Sequence, residues 1–423
     1  MNLRALLGVL TQGLWSGLSF LVAIIVARYA SIDAFGWFAV GLAVKQLLLM
    51  PLGAVVLTPL TVTSGRHSLE ALRDSRLHRN VITIFQFVSL VSLVFASLIG
   101  WIIAQPAIEF ALFVVGGLAV ELQRRINFIN QRSDLDLFGG VINIVGVLVA
   151  LLILNSASLL TVPNIFLVVG VTNLLWTITC NARHWLTFSS EFSPSELLDL
   201  WRIGRWCLAS NVAGYVYAQS STFFTLYLIG PKGVAVLELG RQLVNVVLVF
   251  VQGMANFWQP KLARSAATDD LQVFAQLVWR VTRLQTVGGA GALIILLLVI
   301  PFLLPLLVPG KEQDYALAVP TAWILALALI FQLVSQHPNF ALIALGKPKA
   351  DFLARLIAAL ILLPLGFGLI YLDSVSGAAW SRVIGEVIVM VITTKWFHQT
   401  VRLPKTLSPI RPSTTAQQSA GAE

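Results

Sequence analysis

Charge is what this sequence has least of. Only 11% of its 423 residues are Asp, Glu, Lys or Arg, less than half the roughly 25% found in soluble domains, and a wholly water-exposed fold is excluded. Cysteine is nearly absent: Cys180 and Cys207 are the two present, so neither a disulfide framework nor a thiolate metal site organises the chain. No Walker-type loop, zinc-ligand spacing or nucleophile constellation occurs, and ATP hydrolysis, metal-assisted hydrolysis and acyl transfer have no visible machinery. The chain is therefore expected to be no enzyme and to carry no cofactor, a coupling Na+ or H+ aside. Asp134 and Asp136 form an Asp-x-Asp pair of the kind that holds a metal in sugar transferases. With no soluble domain around them they are expected to be a solvated pair in an inner loop.

What fills the chain instead is apolar: 57% of residues are hydrophobic. Runs of about 20 such residues, enough to cross some 30 Å of hydrocarbon as helix, recur from end to end. About twelve are expected, near 6–27, 36–63, 81–104, 108–123, 138–155, 161–181, 206–229, 235–257, 285–308, 321–345, 353–372 and 377–397. The cations test that pattern, because cytoplasmic connections collect Lys and Arg. They fall in alternate connections, as in Arg66, Arg73, Arg76 and Arg79, then Arg124, Arg125 and Arg132, then Lys347, Lys349 and Arg355. The intervening connections hold Arg28, Lys232 and Lys311. This predicts an all-α membrane protein with both termini cytoplasmic. The net charge of +9 follows from topology, and no nucleic-acid partner is expected.

Two spans stand out. Trp206 to Ile229 and the helix after it are joined by the short turn Gly230-Pro231-Lys232-Gly233. The first carries Asn211, Tyr215, Gln219 and Thr222 on one face, and the second carries Arg241, Asn245, Gln252 and Asn256. Polar stripes on adjacent membrane helices are expected around an interior polar path, since lipid leaves such groups unsatisfied. Gln332, Ser335, Gln336 and Asn339 form a third stripe. Lys45, Pro51 and Pro59 predict a broken helix in the second span. Short interfacial helices are expected after Ser193-Pro194, with Glu196 completing a capping box, and after Thr268.

Three cations fall inside spans: Lys45, Arg241 and Arg382. Each costs about 2.5 to 3.5 kcal/mol to insert even on the lenient scale, so an anionic ligand or an internal partner must offset it. Glu238 lies three residues before Arg241 and Glu386 four after Arg382, both helix-neighbour spacings, and both explanations stay open. Lys45 has no nearby acid on its own helix. Glu238, Glu386 and His337 are the coupling candidates, while Asn211, Tyr215, Gln219, Asn245, Gln332 and Gln336 have the chemistry to bond sugar hydroxyls or neighbouring helices. A faint repeat pairs Lys45-Gln46-Leu47 with Arg241-Gln242-Leu243, six spans apart and equally oriented, which predicts parallel repeats.

The segment LLDLWRIGRWCLASNVAGYVYAQSSTFFTLYLIGPKGVAVLELGRQLVNVVLVFVQGMANFWQPKLAR resembles the seventh and eighth helices of bacterial polysaccharide flippases. ARYASIDAFGWFAV and SGAAWSRVIGEVI resemble that family's first-half turn and last helix pair. The family belongs to the multidrug, oligosaccharidyl-lipid and polysaccharide exporter superfamily. The resemblance implies a MATE-like fold of two six-helix lobes, 1–190 and 191–405, followed by a disordered tail, 406–423. It further implies the substrate, an undecaprenyl diphosphate-linked oligosaccharide, flipped from the cytoplasmic to the periplasmic leaflet in surface polysaccharide biosynthesis. Polymerase and export proteins of that pathway are the implied partners. A cation-coupled multidrug exporter shares the fold, and a membrane polymerase or ligase is the more distant alternative. Where family members often carry an acid in mid-helix seven, this chain has Gln219, Ser220 and Ser221.

Overall fold

A computed structural model describes residues 3–57, 89–100, 106–129, 133–185, 194–268 and 270–402. Among them all regular structure is helical and no strand occurs. In chain order the helices are α1 (Leu3–Tyr29), α2 (Ile32–Pro51, continued by a π-helical turn Leu52–Leu57), α3 (Ser89–Gly100), α4 (Ala107–Ile129), α5 (Ser133–Ser156) and α6 (Val162–Trp185). Then come α7 (Pro194–Leu228), α8 (Pro231–Thr268), α9 (Leu271–Leu307), α10 (Ala318–Ala344) and α11 (Pro348–Arg402). Among the described residues six stretches are long and apolar enough to cross a membrane, which makes this a multi-pass membrane protein.

Local chemistry sets the boundaries. Ser31 caps α2 by accepting from the Ala34 amide at 3.2 Å. Gly230, at φ 93°, supplies the left-handed turn that ends α7, and Pro231 opens α8 at a position where its missing N–H costs nothing. Pro51 leaves an unmet backbone acceptor one turn back, and the chain answers by widening to π geometry at Leu52–Leu57. The expected break in this helix is thus present; Pro59 lies outside the described residues. α11 is broken at Asp373 and at Ser374, whose φ is 50°, giving two arms.

Two expectations about surface helices are corrected. The stretch after Pro194 forms no separate helix: α7 runs unbroken through 35 residues, since nothing between Trp201 and Asn211 except Gly204 disfavours helix. The predicted Ser193 cap lies outside the described residues. Likewise α9 begins at Leu271 and continues through 37 residues into the membrane span. Its cap is Asp270, which accepts from the Gln272 amide at 3.3 Å, and Thr268 instead ends α8. The loop 63–80 and the tail 406–423 also lie outside the described residues.

The largest apolar core runs through both halves. Phe38, Phe110, Phe113 and Phe166 interlock between α2, α4 and α6 at centroid distances of 4.7 to 5.8 Å. α8 packs on α1 and α2 as well as on α10, so the second half leans on the first. At the end that the charge pattern assigns to the outside, the contact is close. A Cβ at Gly36 would overlap the Pro231 carbonyl, so only glycine lets α2 meet α8 there. Beside it, Lys311 Nζ donates to the carbonyls of Ala27 (3.2 Å), Arg28 (2.8 Å) and Ala30 (2.5 Å). In return Arg28 donates to the Leu306 carbonyl at 3.3 Å, and Phe35 meets Tyr315 edge-on. Burial under this clasp lowers the Lys311 pKa, against the pull of Asp314.

Candidate functional site

The α7–α8 hairpin carries the site. Because α7 and α8 pair directly and α2 lies against both, residues of all three meet midway along the bundle. Gln219 is the junction. Its Nε2 donates to Gln46 Oε1 of α2 at 3.0 Å. Its Oε1 accepts from Arg241 Nη1 of α8 at 3.1 Å and from Thr222 at 3.2 Å. Arg241 Nη2 also donates to Thr222 Oγ1 at 2.8 Å, while Nη1 lies 3.3 Å from Glu238 Oε2. Glu238, buried, accepts from Gln242 at 2.6 Å. A chain of polar groups therefore crosses from the first half to the second, and nearby Tyr215 reinforces it by donating to the Ala43 carbonyl at 2.8 Å.

Arg241 is the group in this chain with capacity left. A guanidinium has five N–H donors, and the contacts to Gln219, Glu238 and Thr222 occupy three. The side chain is 24% exposed, and its other two donors make no hydrogen bond among the described residues. Glu238 holds the guanidinium in place and neutralises it at rest, which lets the cation exist inside an apolar bundle. An anion that approached would compete with Glu238 for the same donors.

Lys45 is placed differently. Its ammonium lies over the Phe113 ring at 4.1 Å, a cation–π contact, and its stem fills the space against Gly117 of α4. It does not join the Arg241 chain; its neighbour Gln46 does.

Arg382 lies in a second cluster. Nη2 is 2.7 Å from Glu386 Oε1, and the same oxygen accepts from Tyr217 at 2.9 Å. The guanidinium sits over the Tyr217 ring at 4.8 Å. Next to it, Arg355 Nε bonds Asp351 Oδ1 at 2.8 Å, and Asp351 also accepts from Ser210 and Asn339. α7 and α11 are thus joined by two cation–carboxylate units with Tyr217 between them. His337, fully buried, bonds Gln285 Oε1, and Gln285 in turn donates to Gln336 at 3.0 Å. The His337 Nδ1 has no hydrogen-bond partner among the described residues.

Of the remaining predicted residues, Asn211 is exposed and Asn245 and Gln332 are half-buried, and the structure brings none of them into these networks. The side chains of Gln252 and Asn256 lie outside the described residues. Two expectations need correction. Asp136 is no solvated loop residue: it sits in the first turn of α5, 6% exposed, and Arg124 Nε of α4 lies 3.7 Å from it. The cation draws the carboxylate into the helix junction. Arg355 is no loop cation either. α11 starts at Pro348, which puts Asp351 and Arg355 four residues apart on the face packed against α7. That i,i+4 spacing was the signal in the sequence for this pair; Ser210, Tyr217 and Gln285 carried none.

The described residues form an all-helical membrane bundle with a polar seam between α2, α7 and α8, and the fold is that of the MATE transporters. One similar solved structure is the inward-facing conformation of a multidrug resistance MATE family transporter of the MOP superfamily. It shows 14% identity and a TM-score of 0.67 over 95% of each chain. A MATE in the straight conformation gives 11% and 0.68 over 94% of each. The Vibrio cholerae MATE transporter VcmN, as a variant, gives 15% and 0.65 over 95% of this chain and 98% of its own. No protein-family model and no curated protein matches the chain.

Proposed function

We propose that this chain is a flippase that moves an undecaprenyl diphosphate-linked oligosaccharide from the cytoplasmic to the periplasmic leaflet of a bacterial inner membrane. It does so by alternating access between two parallel six-helix lobes, with twelve spans and both termini cytoplasmic. The two arms of α11 supply the last two spans. The observation that carries the reading is Arg241 at the seam, with free donors and a displaceable acid partner. The diphosphate takes Arg241, and sugars follow the amides of Gln46 and Gln219. The clasp of Gly36 against Pro231 and of Lys311 on α1 closes the outer end, which corresponds to a resting state open to the cytoplasm. Outward release requires that clasp to part while the Gln46–Gln219 bond reorganises.

A second reading, a cation-coupled multidrug exporter, is favoured by the buried acids. Glu386, Asp351 and Glu238 lie inside the second half, and His337 sits beside Gln285. There Na+ or H+ would exchange against Arg382 or act through His337.

Reconstituted vesicles separate the two. Leaflet transfer of a fluorescent lipid-linked oligosaccharide is expected, reduced at least about tenfold by Arg241→Ala, the loss of one charge-assisted contact of about 1.5 to 3 kcal/mol. Efflux of a cationic dye driven by an ion gradient, with no lipid transfer, would overturn the flippase in favour of the exporter.

A further inference from the structure

At the opposite end from the clasp, α9 and the last turns of α11 border a half-open cavity of about 400 Å³. Arg280, Arg283 and Arg402 line it together with His398, over a floor formed by Trp279 and Phe397. The two rings meet edge-on at 6.0 Å, and Phe397 is fully buried in a small apolar core with Phe274 and Leu262. The walls include no acidic residue. Among the described residues no carboxylate pairs with any of the three arginines, unlike Arg241, Arg355 and Arg382. Three like charges converge here without a counter-ion among the described residues, an arrangement that favours a bound anion.

The surroundings identify its kind. Arg280 and Arg283 share a helical stripe with Leu284 and Val287, which are 54% and 67% exposed. The stripe continues through Ile294 and Leu298, 58% and 68% exposed. Exposed apolar side chains on a membrane helix face lipid. Moving along α9 from its start, the chain passes from exposed arginines to lipid-facing aliphatics within one turn, as it would at headgroup depth. A soluble phosphate needs only the cations; an anionic phospholipid uses both the cations and the aliphatic stripe. Basic pockets between membrane helices on the cytoplasmic side bind such headgroups.

We infer that the cavity between α9 and α11 is a binding site for the headgroup of an anionic phospholipid, whose acyl chain lies along Leu284, Val287 and Ile294. This site is separate from the Arg241 seam, so its test does not depend on what the protein transports.

Native mass spectrometry of the full chain in detergent, with dioleoylphosphatidylglycerol or dioleoylphosphatidylcholine added, reads lipid retention directly. Phosphatidylglycerol is expected to be retained about tenfold better, and the combined Arg280→Gln, Arg283→Gln, Arg402→Gln variant to lose that preference. A variant that removes three cations elsewhere at the same end, Arg205→Gln, Lys347→Gln and Lys349→Gln, is expected to keep it. Size-exclusion elution and melting temperature of each variant verify the fold, and Arg→Lys at the three positions restores retention if either parameter shifts. Equal retention of phosphatidylcholine overturns the site, as does equal loss in the control variant, which would make the attraction diffuse. Arginine-dependent binding of inorganic phosphate without retention of phosphatidylglycerol would also overturn it, in favour of a soluble anion.

Discussion

The two halves of this bundle solve the same problem with different chemistry. Among the described residues of the first half, interior polar groups other than Lys45 and the Asp136–Arg124 pair are uncharged. Asn143 donates to Asn173 at 2.7 Å between α5 and α6, Trp15 meets Trp176 edge-on, and Lys45 rests on an aromatic ring. In the second half, Ser210 and Tyr217 of α7 donate to the carboxylates of two ion pairs within α11, Asp351–Arg355 and Glu386–Arg382, and α8 carries Glu238–Arg241. An amide pair in a membrane bundle contributes about 0.6 kcal/mol and survives loss of a partner cheaply. A buried ion pair adds little net stability while intact, but removing one partner strands a charge at a cost of about 3 to 5 kcal/mol. The first half can therefore tolerate change as a scaffold, whereas the second holds groups that respond strongly to any charge entering or leaving. That asymmetry is what a machine needs if one half senses an ion or a substrate and the other provides a stable surface to move against.

Breaking the asymmetry tests it most strongly at Glu386. Glu386→Ala strands Arg382 and the Tyr217 hydroxyl, and is expected to destabilise the protein by about 3 kcal/mol, measured as a fall in melting temperature in detergent. The double variant with Arg382→Ala should recover most of that loss, because no lone charge remains. Full destabilisation in the double variant would show that packing and the Tyr217 bond, and not a stranded charge, account for the loss. Next in size is Gly36→Ala, which inserts a methyl group against the Pro231 carbonyl and costs about 1 to 3 kcal/mol through overpacking. It should appear as increased labelling of the outer end by a membrane-impermeant reagent. Lys311→Ala removes donors from three carbonyls at the end of α1 and should act in the same direction by about 1 kcal/mol. Smallest is Asn143→Ala, at about 0.6 kcal/mol; a loss matching that of Glu386→Ala would erase the contrast between the halves.

Much of this arrangement was legible in the chain, and the failures have physical causes. Apolar runs located the helices because hydrocarbon enforces them, and the acids at three and four residues from Arg241 and Arg382 pointed to ion pairs that are present. The α7–α8 turn was readable from Gly230 and Pro231. Surface helices were misjudged at α7 and α9 because an amphipathic segment continues into the span unless a breaker intervenes, and none does. Asp136 and Arg355 were assigned to inner connections, yet Arg124 of α4 lies beside Asp136, and Asp351, one turn earlier on α11, bonds Arg355. Such contacts as Tyr217 to Glu386, or Lys311 to α1, join residues 169 and about 283 positions apart and leave no local pattern.

The seam itself is tested most directly by the accessibility of position 219. Gln219→Cys, made in a chain with Cys180 and Cys207 replaced by serine, would be labelled with impermeant maleimide from each side of sealed vesicles. Labelling from the cytoplasmic side, lost on adding lipid-linked oligosaccharide and gained from the opposite side under turnover, is the expected result. A site silent from both sides, with or without that substrate, would make the Gln46–Gln219–Arg241 chain a static packing element and contradict its role in translocation.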